Sequence, residues 1–180
     1  ALVADANNVT VFEKARSVGG AFRLAGLAPL FQGVEANPES LLTYIEGLRR
    51  ECEEKGVTVR TGCDAGSNPA LLDGFDHVVI ATGARYRWGL GWLTARLLGS
   101  GLVRRWPLER LARSDRIRSW FYYEVRRPTG LGAHSPGIGH ASVEVIGDAK
   151  RAAKSEDAIA SAYAAAFGQL EEPAGSGEKA

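Results

Sequence analysis

Four short groups of residues have the types and the spacing that contact with a nucleotide requires. They are Glu13-Lys14, Gly19-Gly20, Ala81-Thr82-Gly83 and Gly147-Asp148. Three of these groups directly follow a run of β-branched and apolar residues, and the glycine pair comes six residues after Glu13. An acid at the end of a parallel strand accepts hydrogen bonds from ribose hydroxyls, and glycine lets the backbone approach a ligand closely. The groups therefore predict a nucleotide site at the carboxyl ends of parallel strands.

Each group also has an ordinary structural explanation. A strand-terminal acid such as Glu13 or Asp148 can simply be solvated, and a glycine pair can belong to a plain loop. Arg23, just after the glycine pair, could contact a phosphate or could equally be a surface arginine. The helix that is predicted to begin at Ser155 could bring its positive end towards a pyrophosphate. The prediction rests on the groups as an ordered set.

The sequence lacks the residues that a disulfide scaffold, a metal site or acid–base catalysis would need. Cys52 and Cys63 are too few for a disulfide scaffold or a zinc site. We expect Cys52 in the core, on the apolar face of a helix, and Cys63 in a structural role rather than beside a cofactor. His77, His134 and His140 form no visible pair with a carboxylate. We therefore expect no catalytic residue and no metal site in this chain.

Strands and helices that could position the four groups are evident in the sequence. Residues 9–13 are short, β-branched and apolar, which predicts a buried parallel strand. Further strands are predicted at residues 57–60, 77–81 and 143–146. Asn37-Pro38-Glu39 is a strong helix start, and Gly56 ends that helix. Strand, helix and strand form a βαβ unit. Residues 1–6 resemble the end of another helix, and the expected fold is an α/β, Rossmann-like parallel sheet.

The basic aromatic segment, residues 85–127, differs from the rest of the chain. It holds 11 arginines, no lysine, three acids and all four tryptophans, for a net charge of +8 within a chain of net charge +1. Arginines and apolar residues alternate at near-helical spacing, which predicts two or three short amphipathic helices. We favour docking on a partner domain or subunit, or covering of the sheet. Contact with an anionic membrane ranks second, and we expect no nucleic acid.

In their order along the chain, the four groups resemble the FAD- and NAD(P)-binding region of the old-yellow-enzyme-related NADH:flavin oxidoreductases. That family includes 2,4-dienoyl-CoA reductase and trimethylamine dehydrogenase, and the resemblance covers residues 1–84 and 141–168. It implies that Glu13 contacts the adenosine ribose of FAD or ADP and that Gly19-Gly20 lie along the dinucleotide. It also implies that residues 81–83 line the crevice, and that Gly147-Asp148 approach the ribityl and pyrophosphate groups.

The sequence departs from the family pattern in two places. The glycine fingerprint belongs roughly 20 residues before Glu13, which is upstream of Ala1. The first strand, which would lie between residues 9–13 and 77–81, is therefore missing from this chain. We expect either a fragment or a strand supplied by another polypeptide. Only residues 85–142 stand where the family has a nicotinamide domain, so we expect no direct NAD(P)H binding.

These observations predict a domain or subunit of a flavin-dependent oxidoreductase that is inactive alone. The nucleotide-binding domain would comprise residues 1–84 and 141–168, the insertion residues 85–140, and a disordered tail residues 169–180. The resemblance implies substrate chemistry on a separate barrel domain or subunit that carries FMN and an iron–sulfur cluster, within an oligomer. The absence of a long apolar run or a signal peptide predicts a cytoplasmic location. The alternative is a non-catalytic assembly subunit that has lost nucleotide binding.

Overall fold

The computed structural model describes residues 7–28, 37–129, 141–153 and 155–168. Within these ranges the chain is a mixed α/β protein with six strands in three two-stranded sheets, two of them parallel and one antiparallel. The elements in chain order are β1 (Thr10–Glu13), α1 (Phe22–Ala25), α2 (Pro38–Glu54), β2 (Thr58–Thr61), β3 (His77–Ile80), β4 (Arg85–Tyr86), α3 (Leu90–Gly99), α4 (Leu108–Ala112), α5 (Asp115–Trp120), β5 (Arg126–Arg127), β6 (Ser142–Val145), α6 (Gly147–Lys150) and α7 (Ser155–Gly168).

Helix α2 begins as its sequence predicts. The Asn37 side chain accepts hydrogen bonds from the backbone N–H groups of Glu39 and Ser40, and Pro38 occupies the first turn. These contacts satisfy two backbone donors that the helix itself leaves without partners. On the solvent side, the Arg49 guanidinium pairs with both Glu46 and Glu53. The helix ends in a turn that passes directly into β2.

The first parallel pair joins β1 and β2. Thr10 lies opposite Thr58, and the register continues to Glu13 opposite Thr61. The predicted βαβ unit is therefore present, but the prediction that its first strand is buried is wrong. Val11 is 39% exposed, and the other three residues of β1 are half-buried. Side chains on a strand are buried only where other elements cover the face of the sheet, and among the described residues the Val11 side chain is only partly covered.

Cys52 also departs from the expectation, since it is exposed rather than part of the core. Only Ile45 of helix α2 is buried, although Leu42 and Leu48 share the apolar character of its predicted inner face. The periodicity of α2 correctly identifies a face. However, the described residues bury only the middle of that apolar face, at Ile45.

The second parallel pair joins β3 and β6. His77 lies opposite Ser142 and Ile80 opposite Val145, and the Ile146 N–H extends the ladder by donating to the Ile80 carbonyl. Val78 at the centre of β3 is buried. Helices α6 and α7 follow β6 and pack on each other, and each contributes one buried alanine, Ala149 and Ala165.

The basic aromatic segment folds into short helices, as its spacing predicts. Residues 100–107 separate α3 from α4, and Arg113 and Ser114 separate α4 from α5. A π-helical turn, Phe121–Val125, follows α5. Strands β4 and β5 pair in antiparallel orientation and close the segment on itself. Val103 and Val125 are the buried apolar residues of this segment.

Several predictions concern residues outside the described ranges. These are the helix end at residues 1–6, the glycine-rich loop with His134 and His140, and the tail at residues 169–180. Among the described helices, none combines the length and the apolarity that crossing a membrane would need.

Candidate functional site

The carboxyl end of β1 carries the first two predicted site residues. One carboxylate oxygen of Glu13, Oε1, accepts from the Ala15 N–H at 2.8 Å and so folds the side chain back over the turn. The Lys14 ammonium lies 2.8 Å from the Asp64 carboxylate, beyond the end of β2. The hydrogen bonds from Lys14 and then from Ser67 hold the pKa of Asp64 below its ordinary value. Among the described residues, the other oxygen of Glu13, Oε2, accepts no hydrogen bond and forms no ion pair.

The glycine pair has two different surroundings. Gly19 has φ +107°, and a Cβ built on it would lie 2.9 Å from the Ile45 side chain. Gly19 is therefore required by the close approach of helix α2. Gly20 has φ +48° and open space around it. Arg23, the predicted phosphate partner, donates to the Val18 carbonyl at 3.4 Å.

Ala81, Thr82 and Gly83 follow β3 into a loop that contacts the end of the basic aromatic segment. The Thr82 hydroxyl lies 3.4 Å from the Thr129 hydroxyl, which in turn contacts the Ala149 carbonyl at 3.4 Å. Ala81 and Thr82 are exposed, and Gly83 turns the chain with φ +76° in open space. This loop thus presents a hydroxyl and free backbone at the carboxyl end of a parallel strand.

Gly147 and Asp148 are engaged within the protein. The Gly147 N–H donates to the Ser161 hydroxyl of helix α7 at 2.9 Å. Asp148 uses both carboxylate oxygens: Oδ1 accepts from the Ala153 N–H at 3.1 Å, and Oδ2 pairs with the Arg126 guanidinium. Asp148 is therefore a half-buried anchor for the turn after β6.

Arg126 contacts a predicted site residue, Asp148, although no sequence pattern predicts a role for it. Its side chain is only 10% exposed and lies over the Tyr122 ring at 4.2 Å, and its Nε is buried without an acceptor among the described residues. Burial pushes the pKa of Arg126 down, but the interactions with Tyr122 and Asp148 outweigh it, so the pKa lies above its ordinary value. As one of 11 arginines in its segment, Arg126 carries no signal in the sequence that distinguishes it.

A second cluster corrects the expectation that no histidine lies near a carboxylate. The register of β3 and β6 puts His77 beside Ser142, which contacts its Nδ1, and 3.9 Å from Glu144 at Nε2. His77 and Ser142 are the first residues of their strands. This cluster therefore lies at the opposite end of the pair from Thr82 and Gly147.

The predicted site residues thus form two groups. Glu13, Lys14, Gly19, Gly20 and Arg23 follow β1, and Ala81, Thr82, Gly83, Gly147 and Asp148 follow β3 and β6. The Phe12 and Phe75 rings, in edge-to-face contact with centroids 5.9 Å apart, link β1 with the residues just before β3. Within the described ranges, no group of three or more His, Cys, Asp or Glu side chains could hold a metal ion.

These features define a mixed α/β protein with polar and glycine residues at the carboxyl ends of two short parallel strand pairs. No family model matches the chain, and comparison with curated proteins and with solved structures finds no match.

Proposed function

We propose that the chain is the FAD- or ADP-binding module of a flavin-dependent oxidoreductase resembling the NADH:flavin oxidoreductases. One observation carries the proposal: three of the motif groups directly follow strands of parallel pairs, and Gly19-Gly20 lie in the turn after β1. In open parallel sheets, ligands bind in the crevice outside the carboxyl ends of the strands.

The proposal includes a finer assignment of the fold. The two parallel pairs would be the halves of one Rossmann-like sheet, in the order β2, β1, a vacant strand position, β3 and β6. Strands lie about 4.8 Å apart, so β1 and β3 would be separated by about 10 Å. The contact between Phe12 and Phe75 is compatible with that spacing. The described residues supply no strand for this position, and a strand that bears the glycine fingerprint would fill it.

The residues present fit a dinucleotide in part. Glu13 Oε2 can accept from a ribose hydroxyl, and the Thr82 hydroxyl and the Gly83 backbone can line the crevice. Asp148 and Gly147 already bond within the protein, so we assign them to shaping the turn rather than to holding a polyol. Bound FAD would supply electron transfer, while the substrate would bind to a separate FMN-bearing barrel domain or subunit.

Titration calorimetry with FAD and with ADP, on protein that includes the strand bearing the glycine fingerprint, tests the proposal. We expect binding of at least one of them, weakened about tenfold to a hundredfold by Glu13→Gln, since hydrogen bonds to a charged group contribute about 1.5–3 kcal/mol. Glutamine keeps an oxygen for the Ala15 N–H, so the turn should persist. Glu54→Gln, at the exposed end of α2, is the matched control and should bind as the wild-type chain does.

A second candidate is the non-catalytic assembly subunit that has lost its nucleotide. The engagement of Asp148 by Arg126 and the packing of Gly19 on Ile45 favour it, because both motif residues already have structural roles. This candidate predicts no heat of binding with FAD or with ADP, both for the wild-type chain and for the Glu13→Gln variant. That result would overturn the module proposal.

A further inference from the structure

The basic aromatic segment exposes its tryptophans to an unusual degree. Trp88 and Trp92 are each 70% exposed and Trp106 is 80% exposed. Exposed aliphatic side chains from the same helices and turns accompany them: Leu93, Leu102, Leu108, Leu111 and Ile117. Contiguous elements that expose this much apolar side chain indicate a surface that contacts another apolar phase. We call these side chains and the exposed arginines among them the tryptophan–arginine surface.

Trp88 is held outward by a backbone conformation that a bulky residue seldom adopts. Its φ of 54° lies in the left-handed region, and Gly89 follows with φ 68°. The indole stacks on Trp120 with ring centroids 6.2 Å apart, while the Arg87 guanidinium lies 6.0 Å from the Trp88 ring. The Arg96 guanidinium takes a similar position over Trp92 at 5.7 Å. Indole and guanidinium groups are therefore presented together.

The charge of this surface is not neutralised within the segment. Its three acids, Glu109, Asp115 and Glu124, each pair with an arginine three or four residues away. Among the described residues, six further exposed arginines form no ion pair with a carboxylate: Arg85, Arg87, Arg96, Arg105, Arg110 and Arg116. The partner of this surface must therefore be anionic as well as apolar.

Three of the conceivable partners meet these requirements poorly. A second copy docking through the same face would bring two segments of net charge +8 together. Single-stranded RNA offers phosphates and stacking bases, but no environment for exposed leucine and isoleucine. A protein would need carboxylates and pockets that match tryptophans on several separate elements. An anionic bilayer accepts interfacial tryptophan, shallow aliphatic side chains and arginine without such shape complementarity.

We propose that the tryptophan–arginine surface binds the surface of an anionic phospholipid bilayer. The arginines pair with lipid phosphates, which the guanidinium fork contacts through two hydrogen bonds. The indoles and leucines enter the headgroup region. The described helices are too short or too polar to cross the membrane, so the contact is peripheral. This proposal rests on no part of the nucleotide proposal, and its test contains no nucleotide.

Vesicle co-sedimentation of the full chain tests the proposal. With phosphatidylcholine vesicles containing about 30 mol% phosphatidylserine, we expect partitioning at least about tenfold stronger than with phosphatidylcholine alone. Raising the salt from about 0.1 M to about 0.5 M should weaken it by a similar factor, because screening shortens the reach of each charge. A blue shift of tryptophan fluorescence on binding should report entry of the indoles.

Two double variants separate the charged and apolar contributions. Arg110→Gln with Arg116→Gln should reduce partitioning roughly 30-fold, from about 1 kcal/mol for each arginine. Trp92→Ala with Trp106→Ala should reduce it about tenfold and remove most of the blue shift. The matched controls are Arg50→Gln with Arg151→Gln, and Tyr44→Ala with Tyr163→Ala, all exposed residues outside the segment. These should bind as the wild-type chain does.

Three outcomes would overturn the proposal. The first is equal partitioning into vesicles with and without phosphatidylserine, or none into either. The second is an equal loss in the segment variants and the control variants, with circular dichroism confirming that all are folded. The third is tighter binding to poly(U) RNA than to the anionic vesicles, which would assign the surface to nucleic acid.

Discussion

The two parallel strand pairs are built alike but are stabilised differently. At the end of β1, the helix that connects the pair supplies an apolar contact: Glu13 bonds the N–H two residues on, and Gly19 packs on Ile45 of that helix. At the ends of β3 and β6, the segment that connects the pair supplies polar contacts. Arg126 and Tyr122, both from the basic aromatic segment, bond Asp148 and the Ala153 carbonyl.

This difference means that the basic aromatic segment is a structural part of the second pair. Tyr122 and Arg126 lie more than 20 residues from the groups they bond, and both are mostly buried. The same segment also carries exposed tryptophan and arginine side chains. The segment thus shapes the turn after β6 through Tyr122 and Arg126 and exposes other side chains to solvent.

The largest effect should follow Arg126→Ala. Removing one partner of a mostly buried ion pair leaves Asp148, only 24% exposed, without its counter-charge, which typically costs about 3–5 kcal/mol. Denaturant unfolding measures the loss. Hydrogen exchange should show faster opening of β6 and α6 than of β1 and β2, because the substituted contact belongs to the second pair.

Arg127→Ala is the control for that substitution. Arg127 is more exposed and meets Glu124 at 3.6 Å, so its loss should change stability by no more than about 1 kcal/mol. If the two variants lose equal stability, the ion pair with Asp148 does not hold the second pair together. The double variant Arg126→Ala with Asp148→Ala should recover part of the loss, since no buried charge then remains unpaired.

Gly19→Ala should be the next largest perturbation and should act on the first pair. The added Cβ would lie 2.9 Å from Ile45, and the positive φ adds backbone strain, so we expect a loss of about 1–3 kcal/mol. Gly47→Ala, inside α2 with open space around it, should instead stabilise the chain by about 0.5–1 kcal/mol. Thermal unfolding of the two variants should therefore shift in opposite directions.

Asn37→Ala should have a smaller effect, again confined to the first pair. It removes the acceptor for two backbone donors at the start of α2, which costs about 1 kcal/mol. Asn68→Ala is its counterpart, since Asn68 precedes the turn Pro69–Leu72 without capping it. A comparable loss in both variants, measured by urea unfolding, would show that the cap at Asn37 contributes nothing specific.

The sequence predicts the helices and strands of this protein better than it predicts which residues pack against them. The cap at Asn37, the parallel βαβ unit and the short helices of the basic aromatic segment follow from local residue types. The exposure of Val11 and Cys52 does not, because it depends on which neighbours cover each face. The ion pair between Asp148 and Arg126 could not be predicted either, because the two residues are 22 positions apart and Arg126 is one of many arginines.

The smallest predicted effect concerns Lys14 and Asp64, which join the ends of β1 and β2 at the surface. Since the hydrogen bond from Lys14 is the largest influence holding the pKa of Asp64 low, Lys14→Met should raise that pKa towards its ordinary 3.8. Ser67→Ala should raise it less, and carboxyl carbon NMR measures both. A carboxyl group whose pKa is lowered in the folded protein stabilises the fold at pH values above its ordinary pKa. This contribution is lost as the pH falls below about 4. An unchanged pKa in Lys14→Met would mean that this contact does not persist in solution, and that the first pair is joined there by the β1–β2 ladder alone.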